Sequence, residues 1–403
     1  MRLTWALIRP AITIVRWTSP LVPVIAILAL PLTTAQTPLP TTSPETSTAT
    51  MSDREKSGLR GPVKSCTEET RYPARTDVEG TTYPEVHWIH ATEYDMDGRM
   101  VGTRSGGSDD SDWVTRNIYN ASGRLLRTTS GKEGEKAAET LFSYDDNGKV
   151  VKITRSGAPE NPIVFHYDDN GRKTVVQVSR PEDYRPRTAS AGSPFEIADR
   201  PPNLPGGGTA TTIYDEHDRA TEVEVRDDKG EIVSRAVRVY DAQGHIVEEK
   251  QILDNLETMF PPEARVKMLE ESGLSPDQLR QELHAQLTKL MGGQPEPYSV
   301  SYGYDTHGRV NHTCRRIYNH EDEIEAIYDE HGDIASEITR SARMAEETDP
   351  SKPAPGPPDY SEVSYSYKYD DHENWVEKTM SYRSSPDGEF QSSTAIKRTL
   401  TYY

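Results

Sequence analysis

Tyr144-Asp145-Asp146-Asn147-Gly148-Lys149 returns almost unchanged as Tyr167-Asp168-Asp169-Asn170-Gly171-Arg172, and this repetition decides how the rest of the chain is read. The same frame (tyrosine, Asp or Asn, two variable residues, glycine) recurs at Tyr94 to Gly98, Tyr119 to Gly123, Tyr240 to Gly244, Tyr304 to Gly308 and Tyr328 to Gly332. Two further copies, at Tyr214 and Tyr369, carry Asp218 and Glu373 where the others have glycine. Neighbouring copies stand 23–26 residues apart wherever no insertion separates them. A period in this range marks a repeat architecture.

The chemistry of the frame accounts for the period. Aspartate at the first position of a type I turn accepts backbone N–H bonds, and glycine three residues on supplies positive φ, which together give a tight hairpin with a bulge. Tyrosine closes the preceding strand, and its ring can lie over a neighbouring hairpin. Arg or Lys follows the glycine at 99, 124, 149, 172 and 309 and opens the next strand. Between turns the residues alternate as strands do: Thr221-Glu222-Val223-Glu224-Val225-Arg226 keeps its valines on one face. A looser turn lies midway, as at Asp227-Asp228-Lys229-Gly230. The fold class expected is all-β, a long curved antiparallel meander of hairpin repeats with about 18–20 strands. Open twisted sheets seldom exceed about 10 strands without curling, so a half-shell or incomplete barrel is expected.

Three insertions break the rhythm. Residues 181–210 and 345–360 are rich in proline and read as loops. Residues 254–293 are helical: Ser275 caps, Pro276 sits in the first turn, Gln278 completes a capping box, and Leu279, Leu283, Leu287 and Leu290 share a face. This helical pair reads as a lid packed on the apolar face of the meander, or as an arm that binds a partner.

The flanks define the compartment. Residues 1–35 combine three arginines, an apolar run over 21–32 and small residues up to Ala35, the layout of a signal peptide. The run is too short and too broken by Pro23 and Pro31 to span a bilayer, so no stable membrane anchor is expected after cleavage. Residues 36–60, dominated by Thr, Ser and Pro, read as a disordered linker, leaving 61–403 as the repeat domain. The protein is expected to be exported, periplasmic or secreted. Export would permit a disulfide between Cys66 and Cys314, the only cysteines, although two unpaired, partly buried thiols fit the sequence equally well.

The tandem Tyr-Asp-x-x-Gly-Arg units resemble the YD repeats of Rhs-type proteins over residues 61–403. Gly61-Pro62-Val63-Lys64-Ser65, with Asn374-Trp375-Val376 and Tyr402-Tyr403, is similar to the two ends of short exported bacterial members of unknown function. In the large Rhs proteins these repeats wind into a hollow shell around a C-terminal toxin. The resemblance therefore implies a repeat sheet. The chain is expected to be too short for a closed shell, and its one Asp-Pro, Asp349-Pro350-Ser351-Lys352, departs from the Asp-Pro-x-Gly cleavage signature.

Hydrophobic residues make up 33% of the chain, and 21 tyrosines against 5 phenylalanines suit sheets with one wet face. A net charge of −19 repels phosphate backbones, so nucleic acid is excluded as a partner. Acidic turns such as Asp168-Asp169-Asn170-Gly171 lack the 12-residue ligand run of a calcium hand. His217, His307, His331 and His372 recur at the fourth motif position, about 10 Å apart along the sheet, too far to converge on a zinc ion. No catalytic, metal or cofactor residue is assigned, and no cofactor is expected. The expected function is a non-enzymatic exported scaffold that binds a protein or a glycan, with Trp113 and Trp375 able to stack on sugars but better suited to packing. The alternatives are an accessory or remnant of an Rhs-type toxin system and a hydrolase with its site under the helical insertion.

Overall fold

The computed structural model describes residues 51–76, 81–107, 112–181, 184, 193, 195, 200–255, 262–290, 296–318, 320–343 and 357–403. The expected signal peptide (1–35) and residues 36–50 of the expected linker fall outside the described residues. Residues 51–60, expected to be disordered, are ordered. Ser52 caps the short helix α1 (Asp53–Lys56) in a capping box with Glu55, and Leu59 is buried against Val63, Cys66 and Tyr94.

Strand β1 (Val63–Tyr72) leads through a two-strand flap, β2 (Arg75–Thr76) and β3 (Thr82–Tyr83), to β4 (Val86–Tyr94). Then follow β5 (Met100–Gly107), β6 (Trp113–Tyr119), β7 (Leu125–Lys132), β8 (Ala138–Tyr144), β9 (Val150–Arg155), β10 (Ala158–Tyr167) and β11 (Lys173–Ser179). The chain continues as β12 (Gly207–Tyr214), β13 (Ala220–Arg226), β14 (Ile232–Tyr240) and β15 (Ile246–Leu253), and then as helices α2 (Pro262–Ser272) and α3 (Pro276–Leu290). Beyond the helices lie β16 (Tyr298–Tyr304), β17 (Val310–Ile317), β18 (His320–Tyr328) and β19 (Ile334–Arg343). The remaining strands are β20 (Asp359–Tyr369), β21 (Trp375–Arg383) and β22 (Gln391–Tyr402).

Outside the flap, twenty strands form one antiparallel sheet in sequence order. The sheet is closed. β1 pairs with β4 on one side and with β22 on the other, in register from Cys66 opposite Leu400 to Arg71 opposite Ala395. The expected half-shell or incomplete barrel is therefore corrected to a complete one, and the chain is long enough to close. An open meander would leave two long edges of unpaired N–H and C=O groups, and pairing β22 with β1 removes both. Twenty strands spaced about 4.8 Å apart and tilted about 40° enclose a ring roughly 40 Å across.

Followed from strand to strand, the pairing registers drift steadily toward one end of the ring. With the right-handed tilt of barrel strands, that drift places the face bearing the motif tyrosines on the inside. Burial follows the same division. Ile163, Val176, Val178, Ala210, Val223, Val225 and Ala236 form the main core cluster on the inner face. The outer face carries charge paired across neighbours: Arg340 with Glu325 at 3.0 Å at mid-strand, Arg316 with Glu321 at 2.7 Å near the loop rim and Lys368 with Glu377 at 2.9 Å near the turn rim.

The two rims differ in kind. All nine tyrosine turns lie on one rim, the turn rim. The three insertions, including α2–α3, and the β2–β3 flap all lie on the other, the loop rim. The tenth corner of the turn rim is where β22 ends and β1 begins, and α1 fills it. There Asp53 Oδ2 accepts the Met100 N–H at 2.9 Å and the Arg54 N–H donates to the Gly98 carbonyl at 3.0 Å.

The two turns without glycine keep the same backbone, with Asp218 at φ 62° and Glu373 at φ 61°. A non-glycine residue held there is strained. Glu373→Gly is therefore expected to raise unfolding stability by roughly 0.5–1 kcal/mol in urea titration, net of its exposed pair with Arg60. A loss of stability would mean that the Arg60 contact outweighs the strain.

Candidate functional site

The repeat residues assemble into one continuous belt around the turn rim. In the first turn, the Asp95 N–H donates to the Arg99 carbonyl at 3.0 Å, and Asp95 Oδ1 accepts the Arg99 N–H at 3.0 Å. Arg99 Nε then donates back to Asp95 Oδ2 at 2.7 Å. This fixes the guanidinium over the next unit, with its centre 5.4 Å from the ring of Tyr119. The arrangement repeats with Arg124 over Tyr144, Lys149 over Tyr167, Arg172 over Tyr214, Arg219 over Tyr240 and Arg309 over Tyr328. His245 takes the same place, stacked on Tyr304 at 4.7 Å.

Each tyrosine answers with its hydroxyl, which donates to a backbone carbonyl of the preceding unit. Tyr119 reaches Met100, Tyr144 reaches Leu125, Tyr167 reaches Val150, and Tyr328 reaches Val310, all at 2.6–2.8 Å. Burial raises the Tyr119, Tyr144, Tyr167 and Tyr328 hydroxyls above their ordinary pKa. Glycine is needed here for room as well as for φ. A Cβ on Gly148 would come within 2.4 Å of the Arg124 guanidinium, and Gly148 has φ 84°. Where Asp218 replaces glycine, its carboxylate captures Arg172, the cation that would otherwise lie over the glycine. The belt changes at Tyr328-Asp-Glu-His-Gly-Asp333, which has an acid in the cation's place. There the Tyr369 hydroxyl donates to Asp329 and Asp333, and His331 stacks on its ring at 3.9 Å.

These residues are structural, and they direct attention to the inner wall. Counting back in twos from a motif tyrosine identifies the side chains that face the lumen. On β14 and β15 these include Arg238 and Glu249, a pair with Glu249 only 2% exposed. The Tyr302 hydroxyl donates to Glu249 at 2.9 Å, and Ser193 reaches it from the 181–210 insertion. Phe195, from the same insertion, lies under Arg238 and packs on the Val176–Ala210–Val223 cluster. The proline-rich segment therefore covers part of the inner wall. Phe195 packs on that apolar face. α3 does have the expected Ser275–Gln278 capping box, and its His284 Nε2 meets the Asp254 carbonyl at 3.2 Å. The side chains of Leu287 and Leu290 fall outside the described residues, while Leu279 is buried.

A second inner cluster lies on β19–β22. Lys378 Nζ sits 4.3 Å from the Tyr365 ring centre, and burial lowers its pKa. Burial also raises Glu337 nearby. Arg398 lies 3.4 Å from the centre of the Trp375 ring and donates to Glu68 at 2.7 Å. Trp375 is thus packed, as expected. Trp113 is not. It is 50% exposed on the inner face, and Trp88, which the sequence reading did not single out, is 46% exposed beside it. The signal for Trp88 was its place six residues before Tyr94 on an alternating strand.

Cys66 and Cys314 are free thiols, so the disulfide open to them in the sequence is absent. Cys66 faces inward on β1 and Cys314 faces outward on β17, with β18–β22 between them. Burial pushes the Cys66 thiol up to about 11.

No family model matches the chain, and no curated protein matches it. Solved structures similar to it include a porin-like protein from Bacteroides uniformis, 11% identical over 85% of this chain and 98% of that one, with a TM-score of 0.30. A chain of the Photorhabdus luminescens Tc holotoxin pore is 12% identical with a TM-score of 0.32; the match covers 78% of this chain and 16% of the toxin chain. A porin-like protein from Bacteroides vulgatus is 10% identical with a TM-score of 0.20.

Two outcomes follow from the inner wall. Glu249→Ala leaves the partly buried Arg238 without its carboxylate and is expected to cost about 3 kcal/mol in denaturant unfolding; Glu249→Gln should cost less. A change below about 0.5 kcal/mol would show that the pair is solvated. For pH, burial and then Glu337 raise Tyr365 from 10.0 to about 12, while burial and the Asp370 hydrogen bond raise Tyr402 likewise. Above pH 10 the unfolded chain loses these protons while the folded chain keeps them. Stability is thus held up to pH 10 and falls as pH rises toward 12, which melting temperatures across that window will read.

Proposed function

We propose that this is a non-enzymatic, exported barrel of the YD-repeat type that holds a ligand in its lumen, entered from the loop rim. The observation that carries the reading is the asymmetry between the two ends. The turn rim is locked by stacked turns of one pattern and carries the chain ends of the repeat domain. The loop rim carries every insertion and leaves aromatic side chains exposed on the inner wall, with Trp88, Trp113 and Tyr382 at 46%, 50% and 42%. Loops at one end of a rigid scaffold are where binding residues collect. No helix among the described residues is long and apolar enough to cross a membrane. The outer wall supports the same reading, since a lipid-facing barrel needs an apolar band about 25 Å tall and this one has the Arg340–Glu325 ion pair at mid-strand. The ionisable groups around Glu249 and around Lys378 on the inner wall are occupied by contacts within the wall, which favours binding over hydrolysis.

Site-directed blocking distinguishes lumen from surface. In a Cys314→Ser background, where Cys66 is buried and inert, a cysteine at inner Tyr382 or outer Thr399 is labelled with a polyethylene-glycol maleimide. Retention on an array of glycans and envelope proteins is expected to fall at least tenfold with the inner label and to remain with the outer one. Equal loss from the outer label would place the binding surface outside and end the lumen reading.

A further inference from the structure

Inside the loop-rim end of the wall, one row of side chains crosses three strands. Trp113 on β6 pairs with Ser105 on β5, and Ser105 pairs with His90 on β4. Trp88 stands next to this row on β4, two residues closer to the loop rim, opposite Gly107. Strand spacing puts the two tryptophan backbones roughly 12 Å apart. Gly107 leaves the floor between them low: even a Cβ there would lie 3.4 Å from the Trp88 ring, so the indole rests on the glycine backbone.

The polar atoms hold the rings with their faces on offer. The Trp113 indole N–H donates to Ser130 Oγ at 2.7 Å, which anchors that edge over β7 and leaves half the side chain exposed. Ser130 is steadied in turn by Thr115 Oγ1 at 3.1 Å. Between the indoles, His90 Nδ1 and Ser105 Oγ share a hydrogen bond at 2.5 Å, and His90 Nε2 meets Thr92 Oγ1 at 3.3 Å. Two large apolar rings left half in water cost free energy that packing would recover. Elsewhere on the inner wall two aromatic rings are covered: Arg398 lies on Trp375, and Arg238 lies on Phe195.

We propose that Trp88 and Trp113 form a stacking platform for a neutral glycan, with the hydroxyl and imidazole row between them turned to the sugar hydroxyls. Flat apolar faces flanked by short hydrogen-bonding side chains match a pyranose chain, whose rings present C–H faces and a hydroxyl edge. One ammonium borders the platform, Lys132 opposite Trp113 on β7, while the groups between the two indoles are hydroxyl and imidazole. The proposal rests on the lumen reading and adds the chemical class of what is bound.

The test uses the purified protein, titrated calorimetrically with cellohexaose, maltohexaose, chitohexaose and, as the peptide alternative, decaproline. At least one hexasaccharide is expected to bind, with Trp113→Ala and Trp88→Ala each weakening it roughly tenfold and Trp113→Phe weakening it less. Both rings are half exposed, so the variants should melt with the parent; a variant that does not is replaced by its phenylalanine counterpart at the same site. Three outcomes overturn the proposal: no heat from any hexasaccharide, binding unchanged in the Trp88→Ala/Trp113→Ala double variant, or decaproline binding that those substitutions abolish. If array retention still responds to the inner-wall label while all three sugars fail, the platform is wrong and the lumen reading stands. If the inner label has no effect either, both fall.

Discussion

The structure depends on one contact repeated around a circle: a cation fixed by the aspartate of one turn and laid over the tyrosine of the next. Each member is held by two others. Aspartate orients the cation, the cation covers the ring, and the ring's hydroxyl returns to the backbone of the unit before it. One such stack at a wet rim contributes modestly, on the order of 1 kcal/mol. A belt of them sets the spacing and tilt between successive hairpins, and a constant tilt is what brings the twentieth strand back to the first. At Gly123, Gly148 and Gly171 the cation of the previous unit lies where a side chain would be, while Asp218 and Glu373 hold the same turn without glycine.

How far the sequence could be read follows from the same contact. The motif is local, six residues long, so each hairpin, its turn and the inward side of its strands could be read directly. The helix at Pro276 was equally legible, since its cap uses neighbours in the chain. Closure was not. The sealing pair, β1 with β22, joins residues more than 300 positions apart, and neither Cys66 nor Leu400 belongs to a turn. Ring closure follows from accumulated tilt, a property of all twenty strands that no window of sequence displays. The segment holding Phe195 was also opaque, because proline-rich composition says nothing about one aromatic reaching a distant valine cluster. The two tryptophans named from sequence separated for a similar reason. Arg398 is 23 residues from Trp375 in the chain yet lies directly on it, and among the described residues nothing comparable covers Trp113.

The two ends of the barrel obey different constraints. A turn on the motif rim must keep aspartate, positive φ and a partner for the neighbouring tyrosine, so length cannot vary there without breaking a stack. Among the described residues the opposite rim has no such repeating stack, and it has accepted a flap, two proline-rich loops and a helical hairpin. The inner wall between the rims is correspondingly mixed, with an apolar patch sealed by Phe195, ion pairs sealed by arginines, and one stretch left open.

The belt also makes the bore countable. Because each turn stacks only on the one before and the one after, duplication of a single 24-residue segment would add two staves to the ring and widen its circumference by about 12 Å, with the stacking of each turn unchanged. Loss of a unit would narrow it by the same step. Width in such a protein is a whole number, altered by recombination between near-identical segments rather than by refining individual side chains, and each new calibre arrives with its seams already matched.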